Sequence, residues 1–409
     1  MTGSSELLSD RRALALKAAL VVFVVALIIR AAVIVAYPAP PFKDDMITYE
    51  GIAKNIVHGK WNFGWDDEPS AHREPIYPLF VAGVYKVFGE SRSAVHWAQA
   101  VVGAGTCALA CLMAWYLVRA RLAPLLCGLM AAVYPPFLLN VQTVLSETLA
   151  TFVLLIAMLF MVAGWKRERW ALVMWGAFFL GLATLTRSAS LTYIPVAALG
   201  IFIMKPGALR VRLGRAAAFC AIFLAVLSPW MIRNYVVFGR FIPVGVNGGI
   251  VLFYGNYDGP KPDPEIEALV EGKDEVERDR FLMHRGIQLI RDDPAHFVLG
   301  CFKKIPRYWL NVGFDTPPSR ASIVFAFGNG FLLAVALWGI FSSGLVDHGA
   351  AAPVYALILC FTLLHMILIA MGRYSVPLMP YVLAFTSAGL LDLAGRFTPL
   401  RILESKPSV

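Results

Sequence analysis

The residues of this 409-residue chain that could do chemistry are few, and they stand at the ends of apolar runs. Asp44 and Asp45 come a few residues after the first such run, just before an amphipathic stretch that opens at Tyr49. A carboxylate held at a lipid–water boundary is partly desolvated, which raises its basicity and suits it to accept a proton. The same pair also fits a plainer role, as acids that favour a helix N-terminus. Glu147 follows Ser146 at the opening of another apolar run. It is either a helix-start carboxylate or a second acid facing the same cavity, where it would bind sugar hydroxyls or support a divalent metal.

Arginines complete the set. Arg187 lies in Leu185-Thr186-Arg187-Ser188, Arg233-Asn234 follows Ser228-Pro229-Trp230, and Arg373-Tyr374 separates two apolar runs. A guanidinium fork matches phosphate oxygens and keeps its charge when partly desolvated. Each arginine alone could anchor the chain to lipid phosphate. Placed together on a face that the positive-inside bias disfavours, they are better explained by an anionic ligand. Arg73, with Glu74 before Pro75, is a further phosphate candidate, and ordinary loop solvation accounts for it equally well. Arg30 and His365 lie inside apolar runs; snorkelling explains the first, and an interhelical hydrogen bond the second. Trp61, Phe63, Trp65, Tyr308 and Trp309 read mostly as aromatic-belt residues.

The elements that must position these residues follow from composition. Hydrophobic residues make up 58% of the chain and charged residues only 15%, with a mean hydropathy of +0.67. Soluble domains carry about 25% charged residues, so the class is an all-α polytopic membrane protein. Ten spans are predicted, at 14–36, 94–118, 122–139, 145–164, 170–186, 188–204, 214–232, 323–343, 351–371 and 375–394. Starting with Arg11, Arg12 and Lys17 inside, alternation puts every short basic cluster on the cytoplasmic face. These clusters are Arg119 with Arg121, Lys166 with Arg167 and Arg169, Lys205 to Arg215, and Arg396, Arg401 and Lys406. The net charge of +9 is thereby explained by topology rather than by nucleic acid.

Two long loops, 38–93 and 233–322, then lie outside. Tyr49 to Val57 and Tyr77 to Val87 read as amphipathic surface helices, and Glu265 to Ile290 as one acidic helix. A last loop helix opens at Asp293-Pro294, with Phe297, Cys301, Ile305 and Trp309 on one face and Lys303, Lys304 and Arg307 at its headgroup edge. The whole of 1–395 reads as one integral-membrane domain, and 396–409 as a short cytoplasmic tail. The six cysteines form no framework, and no Walker loop, GxGxxG or HExxH is present.

Several short motifs resemble a known family. Asp45-Met46-Ile47-Thr48-Tyr49 with Ile52-Ala53-Lys54-Asn55-Ile56 and Gly59 is similar to the first outer loop of the GT-C membrane glycosyltransferases. The resemblance continues through Pro75-Ile76-Tyr77-Pro78, Gln99, Tyr134-Pro135, Ser146-Glu147-Thr148, Leu185-Thr186-Arg187, Pro229-Trp230, Arg233-Asn234, Gly255-Asn256 and Arg373-Tyr374. The group it resembles is the protein mannosyltransferase type, family 39-like, with the aminoarabinose and galacturonic acid transferases of lipopolysaccharide as relatives.

The resemblance implies a GT-C bundle in a bacterial inner membrane, with both termini cytoplasmic and a periplasmic site. It implies transfer of a sugar, with inversion, from a polyprenyl-phosphate donor to a hydroxyl of an envelope lipid, glycan or protein. By motif spacing Asp45 is the base, with Asp44 as a neighbour that shares or tunes the role, and Glu147 is the acid opening the fourth span. Arg187, Arg233 and Arg373, with Arg73 added, are the phosphate ligands, and Tyr49, Asn234 and Tyr374 support them. No metal is assigned. The alternative activity is a flippase or transporter of a lipid-linked sugar, which would use the arginines and need no base.

Overall fold

The computed structural model describes residues 2–66, 68–204, 207–259, 261, 263–310 and 319–397, without the side chains of 2–12, 321 and 397. Its helices are α1 (Thr2–Ala36), α2 (Asp45–Val57), α3 (Ile76–Phe88), α4 (Arg92–Leu117), α5 (Ala123–Val133) and α6 (Pro135–Leu139). They continue with α7 (Glu147–Arg167), α8 (Trp170–Thr184), α9 (Tyr193–Met204), α10 (Leu209–Phe238), α11 (Gly248–Asn256) and α12 (Pro264–Val270). The last are α13 (Glu275–Asp292), α14 (Pro294–Leu310), α15 (Arg320–Phe341), α16 (His348–Ile367) and α17 (Met379–Phe397). No strand occurs among the described residues. In lipid only helices satisfy their own backbone groups, so the apolar composition dictates this class.

Among the described residues seven helices are long and apolar enough to cross a membrane. An eighth span is formed if Ala123–Val133 and Pro135–Gln142, bent by 58° at Tyr134, are one crossing. Pro135 and Pro136 account for the bend, because neither can donate to the preceding turn. The other two expected spans are the shorter apolar helices Trp170–Thr184 and Ser188–Met204. At 1.5 Å per residue they rise about 22 and 26 Å, less than a hydrocarbon core of about 30 Å. The Arg187 turn joins these two short helices.

At the opposite end of the bundle, Asp347 pairs with Lys166 at 2.9 Å and Arg119 at 3.7 Å, and Val118 bridges to Val346. Lys205, Arg401 and Lys406 lie outside the described residues, as does most of the 396–409 tail.

The surface helices differ from expectation in three respects. The 265–290 stretch is two helices, because Gly272 takes φ +73° and Asp274 then caps α13 through Glu277 N at 2.8 Å. In α14 the buried residues are Cys301, Lys304 and Tyr308, while Val298, Leu299 and Phe302 are exposed. Lys304 therefore turns into the fold rather than lying on the outer edge of α14, and Tyr308 is no belt aromatic. Arg30 does not snorkel either: it is fully buried, donating to Ala26 O at 3.1 Å and Cys107 Sγ at 3.2 Å.

The last helix brings Arg373 to the bundle. It packs on α15 through two glycines: a Cβ on Gly339 would lie 2.2 Å from Phe385 O, and one on Gly389 2.2 Å from Val335 O. Small residues let membrane helices approach this closely. Gly389→Ala should therefore destabilise the protein by about 1–3 kcal/mol in detergent unfolding. Gly328→Ala, on the same helix as Gly339 but with open space around it, should be neutral or slightly stabilising.

Candidate functional site

Asp45 opens α2, and its position is set by the packing of that helix. Tyr49, Ile52, Ala53 and Ile56 form its buried face, and Tyr49 meets Tyr77 of α3 edge-on at 4.9 Å. On the other side Glu50 accepts from Tyr85 at 2.9 Å and from both arms of Arg92 at 2.9 and 2.7 Å. This bidentate pair locks α2 to α3 and α4. The preceding residue, Asp44, adopts φ 50°, ψ −126°, and its exposed side chain makes no capping bond. A left-handed φ costs a residue with a Cβ on the order of 1–3 kcal/mol, so the surroundings impose the turn that delivers Asp45.

The remaining residues arrive from distant parts of the chain. Ile76 N donates to Leu185 O at 3.0 Å and Ser188 N to Glu74 Oε1 at 2.9 Å, which fastens the Arg73-Glu74 segment to the Arg187 turn. Glu147 begins α7 after a loop pinned by Gln99, whose amide donates to Val141 O at 3.1 Å and Thr143 O at 2.7 Å. Arg373 and Tyr374 lie in a single 3-10 turn, Gly372–Tyr374, and Tyr308 of α14 donates to Tyr374 O at 3.3 Å.

These segments enclose a cavity of about 380 Å³. Of the residues selected from sequence, Asp45, Tyr49, Arg73, Glu147, Arg187, Arg373 and Tyr374 line it. Asp45 lies between Arg73 at 2.5 Å and Arg373 at 2.8 Å. Glu147 pairs with Arg187 at 2.8 Å, and Arg373 Nε stands 3.8 Å from it. The Arg187 guanidinium also lies over the Tyr374 ring at 4.9 Å, and that of Arg73 over Tyr49 at 5.0 Å. Three buried polar atoms of the cavity make no hydrogen bond: Arg73 Nε, Arg373 Nε and Glu147 Oε2. Arginine Nε atoms are in the same state at Arg30, Arg212, Arg233 and Arg278, so among the described residues the distinctive atom is Glu147 Oε2, a buried acceptor that a donor on a ligand would satisfy.

Three selected residues are not at the cavity. Asp44 is exposed outside it. Arg233 donates to Ser70 O at 2.8 Å and to Asn62 O, and Asn234, fully buried, donates to Ile242 O at 3.1 Å. Arg233 braces the first long loop against the end of α10, and Asn234 braces the 242–244 segment that follows that helix, because unpaired loop carbonyls need donors. Conversely, His72, Asn247, Tyr254 and His365 line the cavity without having been singled out as site residues. His365 bonds within its own helix, Nδ1 to Phe361 O at 2.8 Å, and its ring stacks on Tyr308 at 4.7 Å. No spacing rule marks such residues, since each is a lone polar group on an apolar helix or loop.

Electrostatics corrects one expectation. Burial pushes the Asp45 carboxyl up, but Arg73 and Arg373 outweigh it and hold it below the ordinary aspartate value. Desolvation alone therefore does not make Asp45 a strong base in this arrangement. His72, buried beside Arg73, is pushed down to about 4 and is neutral at physiological pH. Among the described residues no three His, Cys, Asp or Glu side chains converge as a metal cage; the two facing carboxylates are matched by guanidinium groups.

An all-α polytopic membrane protein with a polar, arginine-lined cavity at one end of its bundle is the class this geometry defines. Residues 67–232 match the family model of dolichyl-phosphate-mannose-protein mannosyltransferase. Among solved structures, the apo oligosaccharyltransferase of Archaeoglobus fulgidus aligns over 93% of this chain and 51% of its own, at 13% identity and a TM-score of 0.57. The chain thus spans about half the length of that relative and shares its fold. ArnT of Cupriavidus metallidurans bound to undecaprenyl phosphate aligns over 95% of this chain and 79% of its own, at 15% identity and a TM-score of 0.42. No curated protein matches. The family model thus matches the middle of the chain, and the oligosaccharyltransferase shares its fold over nearly all of it.

Breaking a buried ion pair by removing one partner costs about 3–5 kcal/mol, because the other charge is left behind. Arg187→Ala should accordingly lower stability more than Arg187→Ala combined with Glu147→Gln, a coupling readable from thermal unfolding of the purified single and double variants.

Proposed function

We propose that this protein is a membrane glycosyltransferase that moves a sugar from a polyprenyl-phosphate donor to an acceptor hydroxyl, with its site at the periplasmic face of a bacterial inner membrane. The observation that carries the reading is the Asp45 carboxylate held between Arg73 and Arg373 in a cavity that Arg187 and Glu147 also line. The location of the basic Lys166 and Arg119 at the other end of the bundle supports the cytoplasmic assignment of that end.

The chemistry runs as follows. The donor phosphate enters from the membrane and is gripped by Arg73, Arg187 and Arg373. The acceptor oxygen attacks the anomeric carbon, the bond from that carbon to the phosphate oxygen breaks, and the acceptor proton passes to Asp45. Polyprenyl phosphate leaves with the electron pair. Phosphate is already a weak base, so it needs charge stabilisation more than protonation, and preorganised donors at such positions are worth about 3–4 kcal/mol each. The lowered pKa of Asp45 acquires a role in this scheme. A phosphate competes with Asp45 for Arg73 and Arg373, so donor binding releases the carboxylate from its neutralising partners and raises its basicity when an acceptor is to be deprotonated.

Asp45→Asn should therefore lower transfer in washed membranes by about 10²–10⁴-fold while insertion and abundance stay normal. Transfer at the wild-type rate would remove the base assignment, and movement of the lipid without glycosidic bond formation would favour a transporter. The pH profile offers a second check. Because Arg73 and Arg373 hold the Asp45 carboxyl below the ordinary aspartate range, the acid limb of kcat/KM should lie at lower pH than an unperturbed aspartate would give. The acid limb of kcat, which reports the donor complex, should lie at higher pH.

A further inference from the structure

A second cavity, of about 450 Å³, opens in the large outer loop between α11, α13 and α14. It shares a wall with the first: Asn256 Nδ2 donates to Ile367 O at 2.9 Å, and Leu368 and Ile369, the next residues, line the first cavity. Lys304 closes the same wall. It is buried, and among the described residues its ammonium donates to two neutral oxygens, Asn256 Oδ1 at 2.7 Å and Ile367 O at 3.3 Å.

Neither Lys304 nor its lining neighbour Lys303 pairs with a carboxylate among the described residues. The two acids of the cavity are occupied elsewhere, Asp258 with His296 at 2.9 Å and Asp293 as the cap of α14 through His296 N at 2.9 Å. Burial, together with repulsion from Lys261 and Arg307, pushes Lys304 down to about 8 despite some opposing help from Cys301. A buried ammonium with like charges around it is a group that an anion would relieve.

We propose that this cavity holds the phosphate-bearing headgroup of a membrane-borne acceptor, next to the Asp45 cavity on the other side of the shared wall. The proposal rests on the glycosyltransferase reading above and adds the acceptor's chemical class. Two ammonium groups suit the roughly −1.5 to −2 charge of a phosphate monoester better than the single charge of a carboxylate. The membrane origin follows from α14, which turns Lys304 inward while exposing Val298, Leu299 and Phe302 on its outer side. An amphipathic helix of this kind lies in the lipid interface, and a headgroup beside it needs no journey through water.

The test is lipid retention by the purified full-length protein, read by native mass spectrometry with three probes: phosphatidic acid, its neutral twin diacylglycerol, and undecaprenyl phosphate. Wild type should retain phosphatidic acid at least about tenfold better than diacylglycerol, and Lys303→Gln/Lys304→Gln should lose that preference while still retaining undecaprenyl phosphate. Lys304→Arg should keep it, separating charge from folding. Arg187→Ala should do the reverse, weakening undecaprenyl phosphate alone. Unchanged retention of phosphatidic acid in the double variant overturns the proposal. So does its displacement by millimolar inorganic phosphate, or stronger binding of a soluble phosphoserine peptide. Wild type that retains phosphatidic acid but not undecaprenyl phosphate would keep this site and remove the donor reading instead.

Discussion

A carboxylate shared by two guanidinium groups organises the functional end of this molecule. Asp45, Arg73 and Arg373 come from the first loop and from a turn more than 300 residues later, and their pairing is the point at which those segments meet. At a membrane boundary an unpaired charge is costly, and a charge that pairs pulls its neighbours into register. Glu147 and Arg187 repeat the device one layer across, so the cavity is walled by residues that neutralise one another until something else binds. The same pairing that steadies the fold holds the Asp45 carboxyl below the ordinary aspartate value.

The supports are of ordinary kinds. Glu50, Tyr85 and Arg92 fasten the helix that carries Asp45, while Gln99 holds the loop before Glu147. Arg233 ties the first loop to α10, and Asn234 ties down the chain that leaves that helix. Arg233 shows how a residue type can mislead: a guanidinium near the bundle end suits a phosphate, but it suits two loop carbonyls equally well. Nothing in the linear order of residues distinguishes these uses.

The two cavities also explain each other's composition. The first is lined by three arginines interleaved with acids, the second by lysines whose carboxylate neighbours are already engaged. A shared wall at Asn256 and Ile367 means that an occupant of one is a neighbour of an occupant of the other. A two-substrate reaction at a membrane surface needs such adjacency, since proximity supplies much of the rate.

The sequence by itself determined the membrane class, the helical content and the approximate place of the seven long apolar helices, because hydropathy and length are local properties that lipid enforces segment by segment. It also located the small set of ionisable residues from which Asp45, Arg73, Glu147, Arg187 and Arg373 were drawn, since charges at the ends of apolar runs are conspicuous. Tertiary structure alone decided which of them face one cavity. It sent Arg233 and Asn234 to bracing, left Asp44 outside, buried Arg30, and turned Lys304 inward from an edge that its helix period assigned to headgroups. The physical reason is that partner choice between charges depends on distances across the bundle, and those are fixed by how helices pack rather than by how residues follow one another.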